Sequence, residues 1–233
     1  MLYLGDVYEN GTAREFVDNY DRNFGRFSSR TVPTLGNHEF NNRATGFDPY
    51  WKSKRGKAPP RFSNFYASGW QIIVLDSEES TRSGSDQYSW LQSVLASSPG
   101  RGNCRIAISH RPRYSTGDHG DGTALEPLYQ LLSGKAKIFL SGHDHDMQVF
   151  YPERGITQFV SGAAGRGGYP TNNKSQGKLR WSNPKPGQPV SSAAQGALRL
   201  ALTRGSRTRS ARWKFISTNG PILKRGKIGC QSG

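Results

Sequence analysis

Five histidines occur in the 233-residue sequence, and four of them, His38, His110, His143 and His145, stand in polar clusters that follow short apolar runs. Those clusters read Gly5-Asp6, Gly36-Asn37-His38-Glu39, Ser109-His110 and Gly142-His143-Asp144-His145, while the fifth histidine, His119, follows Gly117-Asp118. A single histidine is more often structural than functional. Several imidazoles beside a carboxylate and an amide oxygen are different, because they form a mixed nitrogen and oxygen donor set suited to manganese, iron or zinc rather than calcium. Imidazole also titrates near neutral pH, so a histidine beside such a site can hold or release a proton.

The clusters need strands to deliver them. Met1 to Leu4 and Thr31 to Leu35 are short apolar runs that stop at Gly5-Asp6 and Gly36-Asn37, and Thr12 can cap a helix running to about Arg22 with Phe16 and Tyr20 on one face. Trp51 to Arg61 is rich in Lys, Arg, Gly and Pro and reads as a surface loop. Asn64 to Ala67 and Trp70 to Asp76 flank Ser68-Gly69 as a hairpin. Ser85 or Asp86 opens a helix whose Trp90, Leu91, Val94 and Leu95 have core spacing. Arg105 to Ser109 is a strand ending at His110, Gly122 to Ser133 is helical, and Ala136 to Leu140 is a strand ending at the His-Asp-His triplet. Thr157 to Val160, Ala197 to Thr203 and Arg212 to Ser217 read as further strands, separated by an irregular loop from Gly165 to Gly196. Strands that stop in polar clusters, with helices between them, predict a layered α/β sandwich with its site at the carboxyl ends of the central strands.

Composition supports one folded domain over residues 1–233. Hydrophobic residues make up only 33%, but five Trp, eleven Phe and ten Tyr supply bulky core material. No apolar run is long enough to span a membrane, and the amino terminus shows no charged stretch followed by an apolar one. The net charge of +15 is lopsided: all 17 acidic residues lie at or before Glu153, whereas 15 of the 32 Lys and Arg follow it. Such a segment attracts anions, from phosphorylated substrates to polyanions, or is simply a solvated basic face. Cys104 and Cys230 can close one long loop in an exported protein or remain two unlinked thiols.

Taken in order, Gly5-Asp6, Gly36-Asn37-His38-Glu39, His110 and Gly142-His143-Asp144-His145 resemble the motif series of calcineurin-like metallophosphoesterases. Gln87 with Trp90-Leu91, His110 with Pro112 and Tyr114, and the closing strand with Cys230 resemble the bacterial purple acid phosphatase-like branch. That resemblance implies an α/β/β/α sandwich with two mixed sheets, and hydrolysis of phosphomonoesters or phosphodiesters by a metal-activated hydroxide. It implies two divalent or mixed-valence transition metal ions drawn from Fe, Mn and Zn. Asp6 matches the bridging carboxylate, Asn37, His110 and His143 match ligands of the second ion, and His145 matches a ligand of the first. His38 matches the catalytic histidine with Glu39 placed to orient it, and His119 falls where the acid phosphatase branch has a substrate-binding histidine or proton donor. A secreted or extracytoplasmic location is also implied.

Two departures qualify the match. The family carries an Asp-x-His motif on a strand before Gly-Asp, and the sequence begins only four residues before Gly5. The expectation is a chain truncated at its first strand, the alternative being a protein that keeps only the second ion well bound. Where the purple branch has a tyrosine three residues after the bridging Asp, Glu9 stands here and Tyr8 comes one residue early, so iron is not singled out. The competing function is a metal-deficient, catalytically weak relative that binds polyanions through its basic carboxyl-terminal region.

Overall fold

Apolar side chains alternate along the strands of this protein so that both faces of its main sheet are buried. The computed structural model describes residues 1–97, 104–203 and 208–231. Strands β1 (Leu2–Tyr3) and β2 (Val32–Pro33) form a short parallel pair. A seven-stranded mixed sheet follows from β3 (Ser63–Ala67), β4 (Trp70–Val74), β5 (Arg105–Ile108), β6 (Ile138–Ser141), β7 (Met147–Phe150), β8 (Thr157–Ser161) and β9 (Leu179–Asn183), in the order β3-β4-β5-β6-β8-β7-β9. Strands β4, β5, β6 and β8 run parallel, which brings their carboxyl ends to one edge. The hairpin between β3 and β4 turns at Ser68 and Gly69, both at positive φ as a primed turn requires.

One face of this sheet presents Ile72, Ile106, Ile138 and Phe159 to Ala211, Trp213 and Phe215 of an antiparallel three-stranded sheet made by β10 (Gly196–Thr203), β11 (Thr208–Ser217) and β12 (Ile222–Gln231). The other face presents Ile73, Ala107, Phe139 and Val160 to Leu91, Val94 and Leu95 of one helix and Leu128 and Leu132 of another. Leu2, Leu4 and Val32 pack into the first of these cores, so the β1–β2 pair lies in the same layer as β10–β12. On its far side Tyr3 and Leu35 join Phe16, Tyr20, Phe47, Tyr50 and Trp51 in a third, aromatic cluster. The result is helix, sheet, sheet, helix: a mixed α/β sandwich.

The outer helical layer begins with the Thr12–Glu15 capping box, which opens α1 (Ala13–Glu15). It runs on through a π-helical stretch (Phe16–Asp21), α2 (Arg22–Phe24) and a 3-10 stretch (Gly25–Arg30). After α3 (Asn37–Phe40) comes α4 (Asp48–Arg55), which corrects the loop expected from Trp51 to Arg61. Trp51 is fully buried, Pro49 sits in the first turn where its missing N–H costs nothing, and the Lys and Arg residues crowd the last turn, where they favour the helix dipole. Helices α5 (Asp86–Ala96), capped by Ser85, and α6 (Glu126–Leu132) cover the opposite side. A second correction concerns Gly165 to Gly196, which is not wholly irregular: β9 pairs with β7, a strand that the polar residues on either side of it conceal in the sequence. Of the expected carboxyl-terminal strand region, residues 204–207 and 232–233 lie outside the described residues.

Because Trp213 and Phe215 point inward, the alternate positions of β10–β12 point out. These carry Arg199, Lys214 and Arg225 in register across all three strands, and Arg212 beside Lys227. At the edge of that sheet, Cys230 is bonded to Cys104 at the foot of β5, with a Cα–Cα distance of 5.2 Å and a sequence separation of 126. Unfolded protein should therefore release no titratable thiol unless reductant is added. In the chain-entropy account, closing a loop of this length contributes roughly 4–5 kcal/mol. Urea unfolding with and without reductant should show a loss of about that size.

Candidate metal centre

The strands end on their polar clusters as the backbone demands. Gly5 takes φ +87°, and a Cβ there would lie 2.5 Å from His110 Nδ1, so only glycine lets the chain leave β1 under the histidine. Asp6 follows at φ 52° and His143, after β6, at φ 68°; left-handed backbone at two non-glycine residues is strain of the kind held at functional sites. Asp6 Oδ1 accepts the His38 backbone N–H at the start of α3, and this turns Oδ2 toward His110.

Four donor atoms then converge. His110 Nε2 lies 2.9 Å from Asp6 Oδ2, 3.1 Å from Asn37 Oδ1 and 3.1 Å from His143 Nδ1. His110 is fully buried and its Nδ1–H donates to the Leu4 carbonyl at 2.8 Å, leaving Nε2 to face the cluster. Contacts near 3 Å are what neighbouring ligands make when each sits about 2.1 Å from one transition metal ion. Among the described residues, Asp6, His110 and His143 are the His, Cys and acidic side chains grouped closely enough to hold an ion.

Protons alone cannot satisfy this arrangement. A proton on His110 Nε2, as Asp6 Oδ2 requires, cannot also serve Asn37 Oδ1 and His143 Nδ1. Arg111 Nη1 lies 3.0 Å from His143 Nε2, and guanidinium offers only donors, so that nitrogen accepts and the single proton of neutral His143 sits on Nδ1, facing the N–H of His110. A cation among the four converging atoms takes the place of these two opposed protons and gives all four atoms a partner, which is the structural argument that the residues fit a metal.

Electrostatics point the same way. Burial pushes the Asp6 carboxyl up, but hydrogen bonding and charge from His110 outweigh it and hold Asp6 below the usual range. Burial likewise opposes protonation of His110, which Asp6 nonetheless raises. His143 is pushed down to about 2 by burial, then by His110 and Arg111, so its imidazole is neutral throughout the working range.

The calcineurin-like phosphoesterase family profile matches residues 1–147. The chain belongs to the calcineurin-like phosphoesterase family. Among curated relatives of this calcineurin-like phosphoesterase, purple acid phosphatase 21 of Arabidopsis thaliana is 26% identical over 171 residues, covering 65% of this chain and 39% of the relative. Tartrate-resistant acid phosphatase type 5 of Homo sapiens is 27% identical over 197 residues, covering 70% and 60%. The fold is similar to that of purple acid phosphatase PPD1 from yellow lupin (Lupinus luteus), with a TM-score of 0.74 at 17% identity over 97% of this chain and 46% of that one. The chain thus spans about two fifths to three fifths of the length of the relatives it matches.

The remaining residues expected at this calcineurin-like phosphoesterase's site take up distinct places. His38 stands at the open rim, with Nε2 3.9 Å from Asp6 Oδ2 and Nδ1 against the Glu9 carbonyl. His119, whose side chain is 42% exposed, donates from Nδ1 to the buried Asp144 at 2.9 Å and lies with its ring centroid 4.0 Å from that of His143. His145 is set apart from the four converging atoms, stacked on Tyr169 and bonded through Nδ1 to the Gly167 carbonyl. Burial lowers its pKa. Glu39 corrects its expected role: no hydrogen bond joins it to His38. Fully buried, it accepts from the Tyr3 hydroxyl and from the backbone N–H groups of Asp6, Val7 and Gly36, and so braces the loop that carries Asp6.

Two neighbours carry no motif that would single them out. Asp144 lies inside the His-Asp-His triplet, but its pairing with His119 depends on a fold-back of the 115–119 loop. Arg111 follows His110 directly, and only the position of Glu78, far away in sequence, turns it toward the site.

Proposed function

We propose that this chain is a metal-dependent phosphoester hydrolase whose ion is held by Asp6, Asn37, His110 and His143. The observation that carries the reading is the convergence of those four donor atoms in a chain of this family. When bound, the metal supplies an activated water and neutralises phosphoryl charge. Asp6 is also the residue suited to bridge to a second ion, for which His145 keeps Nε2 free once Nδ1 is spent on Gly167. The relatives are acid phosphatases by name, which makes phosphomonoesters the expected substrate class.

His38, at the rim beside Asp6, is placed to hydrogen-bond a phosphoryl oxygen. In its imidazolium form His119 would protonate the leaving alkoxide from Nε2 and become neutral, while its Nδ1–H stays bonded to Asp144. The Cys104–Cys230 bond supports work outside a reducing cytosol, and no described helix is long and apolar enough to cross a membrane.

Hydrolysis of p-nitrophenyl phosphate and its bis ester after loading with manganese, zinc or iron tests the reading. Turnover should require metal, disappear in Asp6→Asn, and favour the monoester. His119→Ala should lower kcat by about 10²- to 10⁴-fold for phenyl phosphate, whose leaving group needs a proton, and far less for the nitrophenyl ester. Equal losses on the two esters would remove His119 from the role of acid.

A further inference from the structure

Arg111 is placed by an unusually complete set of contacts. Its Nε and Nη2 form a two-point pair with Glu78, at 2.9 and 3.1 Å, and Glu78 is only 9% exposed. The Arg111 backbone N–H donates to Ser77 Oγ at 3.1 Å, the Ser77 hydroxyl donates to Glu78, and the Glu78 backbone N–H is held by Asp76 Oδ1. Gln87 from α5 in turn takes both the backbone N–H and the carbonyl of Asp76. The carboxyl end of β4 is therefore organised around holding this guanidinium at the rim of the centre. One nitrogen, Nη1, is left over, and it donates to His143 Nε2 at 3.0 Å.

That last contact cannot survive metal binding. A histidine that ligates through one nitrogen normally donates its other N–H to a carboxylate, a carbonyl or water. His143 would ligate through Nδ1, the atom that faces His110 Nε2, which puts its proton on Nε2. An N–H would then face a guanidinium N–H, and a guanidinium has no acceptor. Loading the centre thus frees Nη1 while Glu78 still grips the other two nitrogens. What Nη1 lacks is an anionic acceptor beside the metal. A phosphoryl oxygen meets that need, and Arg is the side chain whose geometry suits it.

We propose that Arg111 is a phosphoryl-binding residue of this site beside His38, tethered by Glu78 and released from His143 when metal occupies Nδ1. The proposal rests on the hydrolase reading and adds a group that seats the substrate's phosphate. It makes two opposite claims about one side chain: Arg111 competes with metal and assists phosphate.

Calorimetry of zinc and then of inorganic phosphate on wild type, Arg111→Met and Arg111→Lys separates these claims, and ¹⁵N NMR of His143 reads the tautomer. Metal-free wild type should show His143 protonated on Nδ1, changing to Nε2 on adding zinc. Arg111→Met should bind zinc at least as tightly as wild type, whereas loss of a supporting outer-shell partner would cost about 10- to 100-fold. The zinc-loaded Met variant should bind phosphate on the order of 10- to 100-fold more weakly, the size expected for a hydrogen bond to a charged group, and Lys should restore part of it. Undiminished phosphate affinity, weakened zinc binding in Arg111→Met, or an Nε2-protonated His143 in metal-free wild type would overturn the proposal. A wild-type chain that takes up no metal would instead sink the hydrolase reading, and this proposal with it.

Discussion

His143→Asn should lose metal affinity by on the order of 100-fold or more while keeping its fold, since a direct ligand matters at least as much as the outer-shell partners whose loss costs about 10- to 100-fold. Asparagine is the informative replacement, because it tolerates the left-handed backbone that His143 adopts at φ 68° and so isolates the lost nitrogen from the strain. Zinc titration of wild type should also weaken toward acid pH. The sign follows from His110: Asp6 raises its pKa above the ordinary value of 6.5, so a proton begins to compete for Nε2 as pH falls through that raised pKa. His143, held down at about 2, adds no competition of its own in that range. Metal uptake that stayed flat from pH 8 to pH 5, or a His143→Asn protein with unchanged zinc affinity, would contradict the ligand assignment.

Glu39→Ala should destabilise the amino-terminal half about as much as truncating one of its buried aromatic side chains. It leaves four donors without an acceptor, the Tyr3 hydroxyl and the N–H groups of Asp6, Val7 and Gly36. Each buried orphan costs about 1–3 kcal/mol, offset in part by water entering the gap. A net loss on the order of 3–5 kcal/mol in denaturant unfolding is expected, in line with removing one member of a buried charged network. Glu39→Gln keeps the shape but turns two of the four donors toward an NH₂ group, and should fall between wild type and Ala. If Glu39 acted instead through His38, Ala would lower turnover and leave unfolding untouched.

The four strand-end clusters were legible because each apolar run is short and stops at glycine followed by ionisable or amide side chains, which leaves little choice about where the strand ends. The hairpin at Ser68-Gly69 and the Thr12 and Ser85 caps were legible for a similar reason: turn and cap chemistry is local. Helix α4 was not, since its Lys and Arg residues look like a loop until the aromatic cluster of Phe16, Tyr20 and Trp51 shows what its other face buries. Strand β9 depends on a partner, β7, that is itself hidden between Asp146 and Tyr151. At the site, residue types pointed to the side chains that converge but not to the contacts of their neighbours. Glu39 was assigned to the histidine beside it in sequence, while its hydrogen bonds go to a loop some thirty residues earlier. Arg111 and Asp144 have partners that only the folded chain brings near.

The five cations on the outer side of β10–β12 have a mechanical meaning. Like charges set directly across from one another push strands apart, and no carboxylate after Glu153 is available within that segment to balance them. The outermost strand, β12, is the one bonded covalently to the foot of β5 through Cys230. The crosslink therefore works as a strap against electrostatic splaying, and its share of the load depends on ionic strength. In dilute buffer, where the repulsion is least screened, the strap carries most. In salt that electrostatic share fades while the loop-closure share remains, so reduction should cost this protein more stability in dilute buffer than in salt.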